Sequence, residues 1–206
     1  MIFGFYLSSE LEKAEELILS GRAGIAVERL NLILAQLSPN SNKYADDAVK
    51  VLVVLTKATQ ELGEVNLSNL YIKRIRELLS DSSAPATFER TSHFLALSEI
   101  LISGGRLDEA YENSEHGLNC LADCLSDCDS DEVAETLRRY ATIAKKTGAL
   151  SSAYLALTVG LLLIQDLGGL DSLIAAETAE LTSLACQAAY PSAISKIGTA
   201  LLLRAA

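Results

Sequence analysis

Four almost evenly spaced glycines constrain this chain more than any other feature. Gly21, Gly63, Gly105 and Gly148 lie 42, 42 and 43 residues apart, and five positions after each comes a small residue: Ala26, Ser68, Ala110 and Ala153. Counting 42 further reaches Tyr190-Pro191, another turn signal, with Ser195 five positions on. A period of this size marks stacked supersecondary units, each of which buries its apolar face only against its neighbours.

The segments between the turns read as helices. Residues 8–20 form an amphipathic helix, with Ser8 or Ser9 placed to cap it and acidic residues in its first turns, where the helix dipole favours them. A partner follows over 23–37, with Ile25, Leu30, Ile33, Leu34 and Leu37 at core spacing. It stops at the SPNSN run of 38–42, because Pro39 cannot continue a helix. The plan repeats over 44–62 with 66–80, 87–103 with 107–125, 131–147 with 150–167, and 171–188 with 191–204. Val and Ile fall inside these helical periods rather than in alternating runs, so the expected class is all-α. Five antiparallel helical hairpins joined by short connections form an α-solenoid, and no linker is long enough to separate domains. Residues 1–206 therefore read as a single repeat domain.

The net charge of −10 argues against nucleic acid as the partner, since an acidic surface gains nothing from counterion release. Four cysteines without a secretory signal read as free thiols in a reducing compartment, and the cytoplasm is the default location. Residues 148–165 carry no charge, but 18 residues interrupted by Ser151, Ser152, Thr158 and Gly160 fit a buried helix better than a membrane span.

The spacing resembles that of tetratricopeptide repeats. That family has a glycine near the end of helix A, a small residue five positions later in helix B, a bulky residue four after that and a small one three further on. The fourth copy matches most closely, with Gly148, Ala153, Leu157 and Gly160. The others have Gly21, Ala26, Leu30 and Ile33; Gly63, Ser68, Ile72 and Ile75; and Gly105, Ala110, Ser114 and Gly117. The aromatic and the Leu-Gly pair of the family's helix A are missing or replaced. The period of about 42 exceeds the family's usual 34, which implies helices about a turn longer. The resemblance implies a binding protein whose A helices line a concave surface for a partner segment.

Carried over residue by residue, the family's groove positions fall on Lys50, Val53, Lys57, Gln60 and Glu61 in the second repeat. They fall on Arg138, Thr142, Lys145 and Lys146 in the fourth, and on Leu11, Glu15, Ile18 and Leu95, Glu99, Ile102 in the first and third. Five basic residues on one inner surface of an acidic chain point to an acidic or carboxylate-terminated peptide, held by charge-assisted hydrogen bonds. The asparagines of the family's carboxylate clamp do not occur. The competing reading makes these residues a solvated helix face, with Lys145 and Lys146 as helix-end cations.

Other constellations have simpler readings. Cys120, Cys124 and Cys128 recur every four residues, drifting about 40° per step around a helix. Zinc sites want four ligands and closer pairs, so the stripe reads as core, and Cys186 could be a fourth ligand only if helix 171–188 packs there. Asp127, Asp129 and Asp131 alternate like a calcium loop, but its sixth place is Glu132 and its twelfth Arg138, and Asp129 or Ser130 suits a helix cap instead. His93 and His116 lack a nucleophile or carboxylate at motif spacing, and no phosphate-loop, hydrolase or metalloprotease signature is present. No metal, cofactor or catalytic activity is expected.

In residues 150–165, Tyr154, Leu155, Leu161, Leu162, Leu163 and Ile164 surround the helix. Leaving such side chains in water forgoes roughly 1.5–3 kcal/mol each. A cover is therefore expected: the final hairpin, a second copy of the chain in a homo-oligomer, or a partner protein. Taken together, the expected function is a protein–protein interaction module, an adaptor or chaperone-type protein. The alternative is a sensor of peptides or small ligands that changes array curvature on binding.

Overall fold

A computed structural model describes residues 2–37, 44–80, 84–166, 194 and 196–198, with side chains considered from residue 6 onwards except 154 and 161–166. The described residues are all-α, with no strand among them. The helices are α1 (Ile2–Leu19), α2 (Ala23–Gln36), α3 (Tyr44–Glu61), α4 (Val65–Leu79), α5 (Phe88–Ser103), α6 (Leu107–Cys124), α7 (Ser130–Lys146) and α8 (Leu150–Asp166). A short 3-10 turn, Leu125–Asp127, leaves α6. The chain divides into two compact units, Met1–Pro85 and Ala86–Ala206. The expected fifth hairpin, 171–188 with 191–204, lies outside the described residues apart from short helical pieces at Ile194 and Lys196–Gly198.

Within each hairpin, three residues join the two helices, and the middle one is the recurring glycine. Gly21, Gly63, Gly105 and Gly148 have φ of 73°, 71°, 73° and 87°. That left-handed conformation costs a side-chain-bearing residue about 1–2 kcal/mol. The surrounding hydrogen bonds repeat as well. Gly21 N–H donates to Ile18 O and Arg22 N–H to Leu17 O, as Gly105 N–H does to Ile102 O and Arg106 N–H to Leu101 O. The same pair closes α3 (to Gln60 O and Thr59 O) and α7 (to Lys145 O and Ala144 O). Carbonyls that a helix end leaves open are thereby satisfied while the chain reverses.

The small residue five positions on is buried in every copy: Ala26, Ser68, Ala110 and Ala153. Its role is close approach of the paired helices, and Gly117 carries this furthest. A Cβ added there would lie 3.1 Å from Phe94 Cβ and 3.4 Å from the Thr91 carbonyl.

In the first unit α3 packs against α1, α2 and α4. Val51, Leu52, Leu55 and Ala58 are fully or almost fully buried, as expected of a helix apolar on most sides. Buried Thr56 and Thr59 donate their hydroxyls to Leu52 O and Leu55 O, which satisfies them within the helix. In the second unit α5 pairs with α6 and α7 with α8, and α7 also packs on α5 and α6. Its core gathers Leu95, Leu118, Leu121, Leu137, Tyr140 and Val159, joined by Ile194 and Ile197.

Helix starts differ in how they are capped. α1 runs from Ile2 through Ser8 and Ser9, so neither serine caps it. Thr87 caps α5 by accepting from Arg90 N–H. Asp129 caps α7, accepting from Glu132 N–H while the Glu132 carboxylate accepts from Asp129 N–H.

Candidate functional site

α5 and α7 are the first helices of their hairpins and pack side by side. Between them opens a cleft of about 380 Å³, lined by Glu99, Ile102 and Ser103 of α5 and by Arg138, Arg139, Thr142, Ile143 and Lys146 of α7. Positions four apart on a helix share a face, so Arg138, Thr142 and Lys146 form one exposed stripe along α7. Three cations, Arg138, Arg139 and Lys146, line this cleft together with the carboxylate of Glu99.

Arg139 spans the cleft, its Nε and Nη2 donating to Glu99 Oε1 at 3.1 and 3.0 Å. Arg138 pairs along its own helix instead, donating from Nε and Nη2 to the two oxygens of Glu135 at 2.7 and 2.6 Å. Those bonds from Arg138 hold the Glu135 carboxyl below the usual carboxylate range. Both arrangements are solvent-accessible, where an ion pair contributes about 0.2–1 kcal/mol and exchanges readily for another anion. Thr142 turns its hydroxyl to Arg138 O at 3.0 Å. Lys145 and Lys146 are exposed and make no ion pair among the described residues.

The seven residues expected to line a groove divide between the two units. Arg138, Thr142 and Lys146 meet in the α5–α7 cleft, and Lys145 lies beside them on α7 without lining it. Lys50, Lys57 and Gln60 belong to α3 and are half-buried. Lys57 is tied to Glu15 of α1, with Nζ 3.0 Å from Oε1. Two transferred apolar positions face inward instead: Val53 is buried and Leu95 belongs to the core of its unit. Glu99 and Ile102 do line the cleft, whereas Arg139, Ser103 and Ile143 were missed. The available signal for Arg139 was charge opposite to Glu99 at close to one repeat's separation, 40 residues.

A second, smaller cleft of about 210 Å³ lies between α7 and α8, lined by Asp131, Ala134, Glu135, Arg138, Ala156, Leu157 and Gly160. Leu157 is 46% exposed, whereas Leu30 and Ser114 at the same repeat position are fully buried. Of the apolar residues expected to need a cover, Tyr154, Leu161, Leu162, Leu163 and Ile164 have side chains outside the described set. Leu155 is half-buried against the core that includes Ile194 and Ile197.

Cys120, Cys124 and Cys128 are free and buried, with Cys124 Sγ and Cys128 Sγ 3.8 Å apart. Burial pushes the Cys124 thiol up to about 12, with the neighbouring Cys128 adding to the shift. Among the described residues no group of three or more His, Cys, Asp or Glu is placed to hold a metal ion. Cys186 lies outside the described residues. His93 is buried in α5 and His116 is exposed on α6, its ring 6.0 Å from that of Phe94. Among the described residues no helix is long and apolar enough to cross a membrane.

Comparison of the chain with family models, with curated proteins and with solved structures finds no match.

Proposed function

We propose that this chain is a tetratricopeptide-like repeat protein that holds an acidic segment of a partner protein between α5 and α7, as an adaptor or chaperone-type module does. The observation carrying this reading is the cleft itself. Arg138, Arg139 and Lys146 line it, the first two paired with Glu135 and Glu99, in a chain whose net charge is −10. Cations grouped against the prevailing charge attract anionic segments. The four glycine turns, alike in φ and hydrogen bonding, support the repeat reading, since each is followed five residues on by a buried small residue.

The test is affinity capture with quantitative mass spectrometry, comparing the native protein with a Lys145→Glu/Lys146→Glu variant. Both lysines are exposed, so the variant retains the packed core. The expected result is loss of the acidic partners captured by the native chain. An unchanged set of captured proteins rejects the cleft as the binding surface.

A further inference from the structure

Resting on the reading above, we infer that the α5–α7 cleft selects an extended segment with two carboxylates four residues apart and an apolar side chain midway between them. The cations of α7 fall into two groups, Arg138 with Arg139 and Lys145 with Lys146. Seven residues separate equivalent members, which at the helical rise is about 10.5 Å. An extended peptide advances about 3.3 Å per residue, and its side chains alternate between faces. Acidic residues two apart share a face but span only about 6.6 Å. Acidic residues three apart span about 10 Å but point to opposite sides. Four apart restores a common face at about 13 Å, within reach of the flexible lysine side chains.

Between the two cation groups the cleft offers one accessible apolar side chain beside the exposed Thr142. That side chain is half-buried Ile102 of α5, above the buried Ile143 of α7. The residue midway between the carboxylates shares their face and meets this floor, where a leucine-sized side chain gains from leaving water. The nearer carboxylate meets Arg139, which Glu99 already engages at 3.0 Å. A ligand must therefore exchange with a resident carboxylate at one end while the lysines at the other make no ion pair among the described residues. A singly charged segment reaches only one group, so two-point attachment is what gives selectivity.

The experiment uses the full chain and two capped, fluorescently labelled peptides of identical composition. One carries Glu-Ala-Leu-Ala-Glu; the other carries adjacent glutamates with the leucine displaced to the end. Binding is read by anisotropy at low ionic strength, where such contacts are least screened. The spaced peptide is expected to bind at least about tenfold more tightly, a difference well above measurement error. In a Lys145→Ala/Lys146→Ala variant, checked for unchanged helicity and melting temperature, that preference is expected to vanish. Equal binding of both peptides to the native chain overturns the spacing rule while leaving an acidic-segment site standing. Retention of the preference in the lysine variant overturns the assignment of the second anchor. Failure of both peptides to bind overturns the spacing rule and the site together.

Discussion

Lys57 Nζ lies 3.0 Å from Glu15 Oε1, joining two residues that stand six positions before their respective glycines in consecutive repeats. The next residue at that position is Glu99, which binds Arg139 one turn before Thr142, the fourth residue of the series. In each unit, therefore, a carboxylate on one first helix engages a cation on the next.

Charge reversal should separate this structural use of cations from the proposed functional one. Lys57→Glu places a like charge against Glu15 and is expected to cost about 0.5–1 kcal/mol, measured by urea denaturation, and less in high salt. Lys146→Glu, whose lysine makes no ion pair among the described residues, is expected to change stability by less than about 0.5 kcal/mol. Equal losses from the two would remove the distinction.

The hairpin glycines can be tested against a helical one. Gly105→Ala forces a side chain into φ of 73° and is expected to destabilise by about 1–2 kcal/mol, although nothing lies within 4 Å of the new Cβ. Gly24 sits in the first turn of α2, also with open space around it, and Gly24→Ala should be neutral or stabilising by up to about 1 kcal/mol. Thermal melts of the two variants should shift in opposite directions, or only the first should shift.

Two glycines at the same repeat position should differ because their neighbours do. A methyl on Gly117 meets Phe94 Cβ at 3.1 Å, so Gly117→Ala must part α5 from α6 and should cost about 1–3 kcal/mol. On Gly160 the nearest atom is Leu137 Cβ at 3.6 Å, ordinary contact, and Gly160→Ala should be tolerated. Denaturant midpoints of both variants, at unchanged slope, check this.

Cys124 should be chemically silent in the folded protein. Its thiol is held neutral up to about 12, against an ordinary value of 9.0, chiefly by burial. The thiolate is the reactive form, so at pH 8 alkylation should be slow until denaturant is added. The folded pKa is raised, so this group's stabilising contribution is complete below pH 9.0 and is lost as pH rises towards 12. Time-resolved intact mass with an alkylating reagent reads the rate, and rapid labelling of Cys124 in native buffer contradicts the prediction.

Acid should loosen the first unit. The Lys13 ammonium, bonded at 2.7 Å, holds Glu10 below the ordinary 4.5, and Arg29 adds to the effect. A depressed folded pKa gives stability that is present above pH 4.5 and lost as pH falls through the folded value. Glu10→Gln should therefore flatten the acid limb of a stability–pH curve measured by denaturant titration. An acid limb identical to that of the native chain would refute this role for Glu10.

Local steric rules made much of the fold legible from residue order. A glycine that reverses the chain and a small residue that admits a neighbouring helix act over a few positions, so Gly21, Gly63, Gly105 and Gly148, with Ala26, Ser68, Ala110 and Ala153, announce the hairpins directly. The cap at Asp129 was equally readable, being a contact between residues three apart. Which face of each helix meets which neighbour was decided by tertiary packing alone. That packing buried Leu95, left Leu157 half in water, turned Arg139 rather than Arg138 towards Glu99, and gathered Arg138, Thr142 and Lys146 beside Ile102. A repeat length sets how often helices return, whereas their rotation about their own axes is a compromise among all side chains at the contact, and no single stretch of sequence carries it.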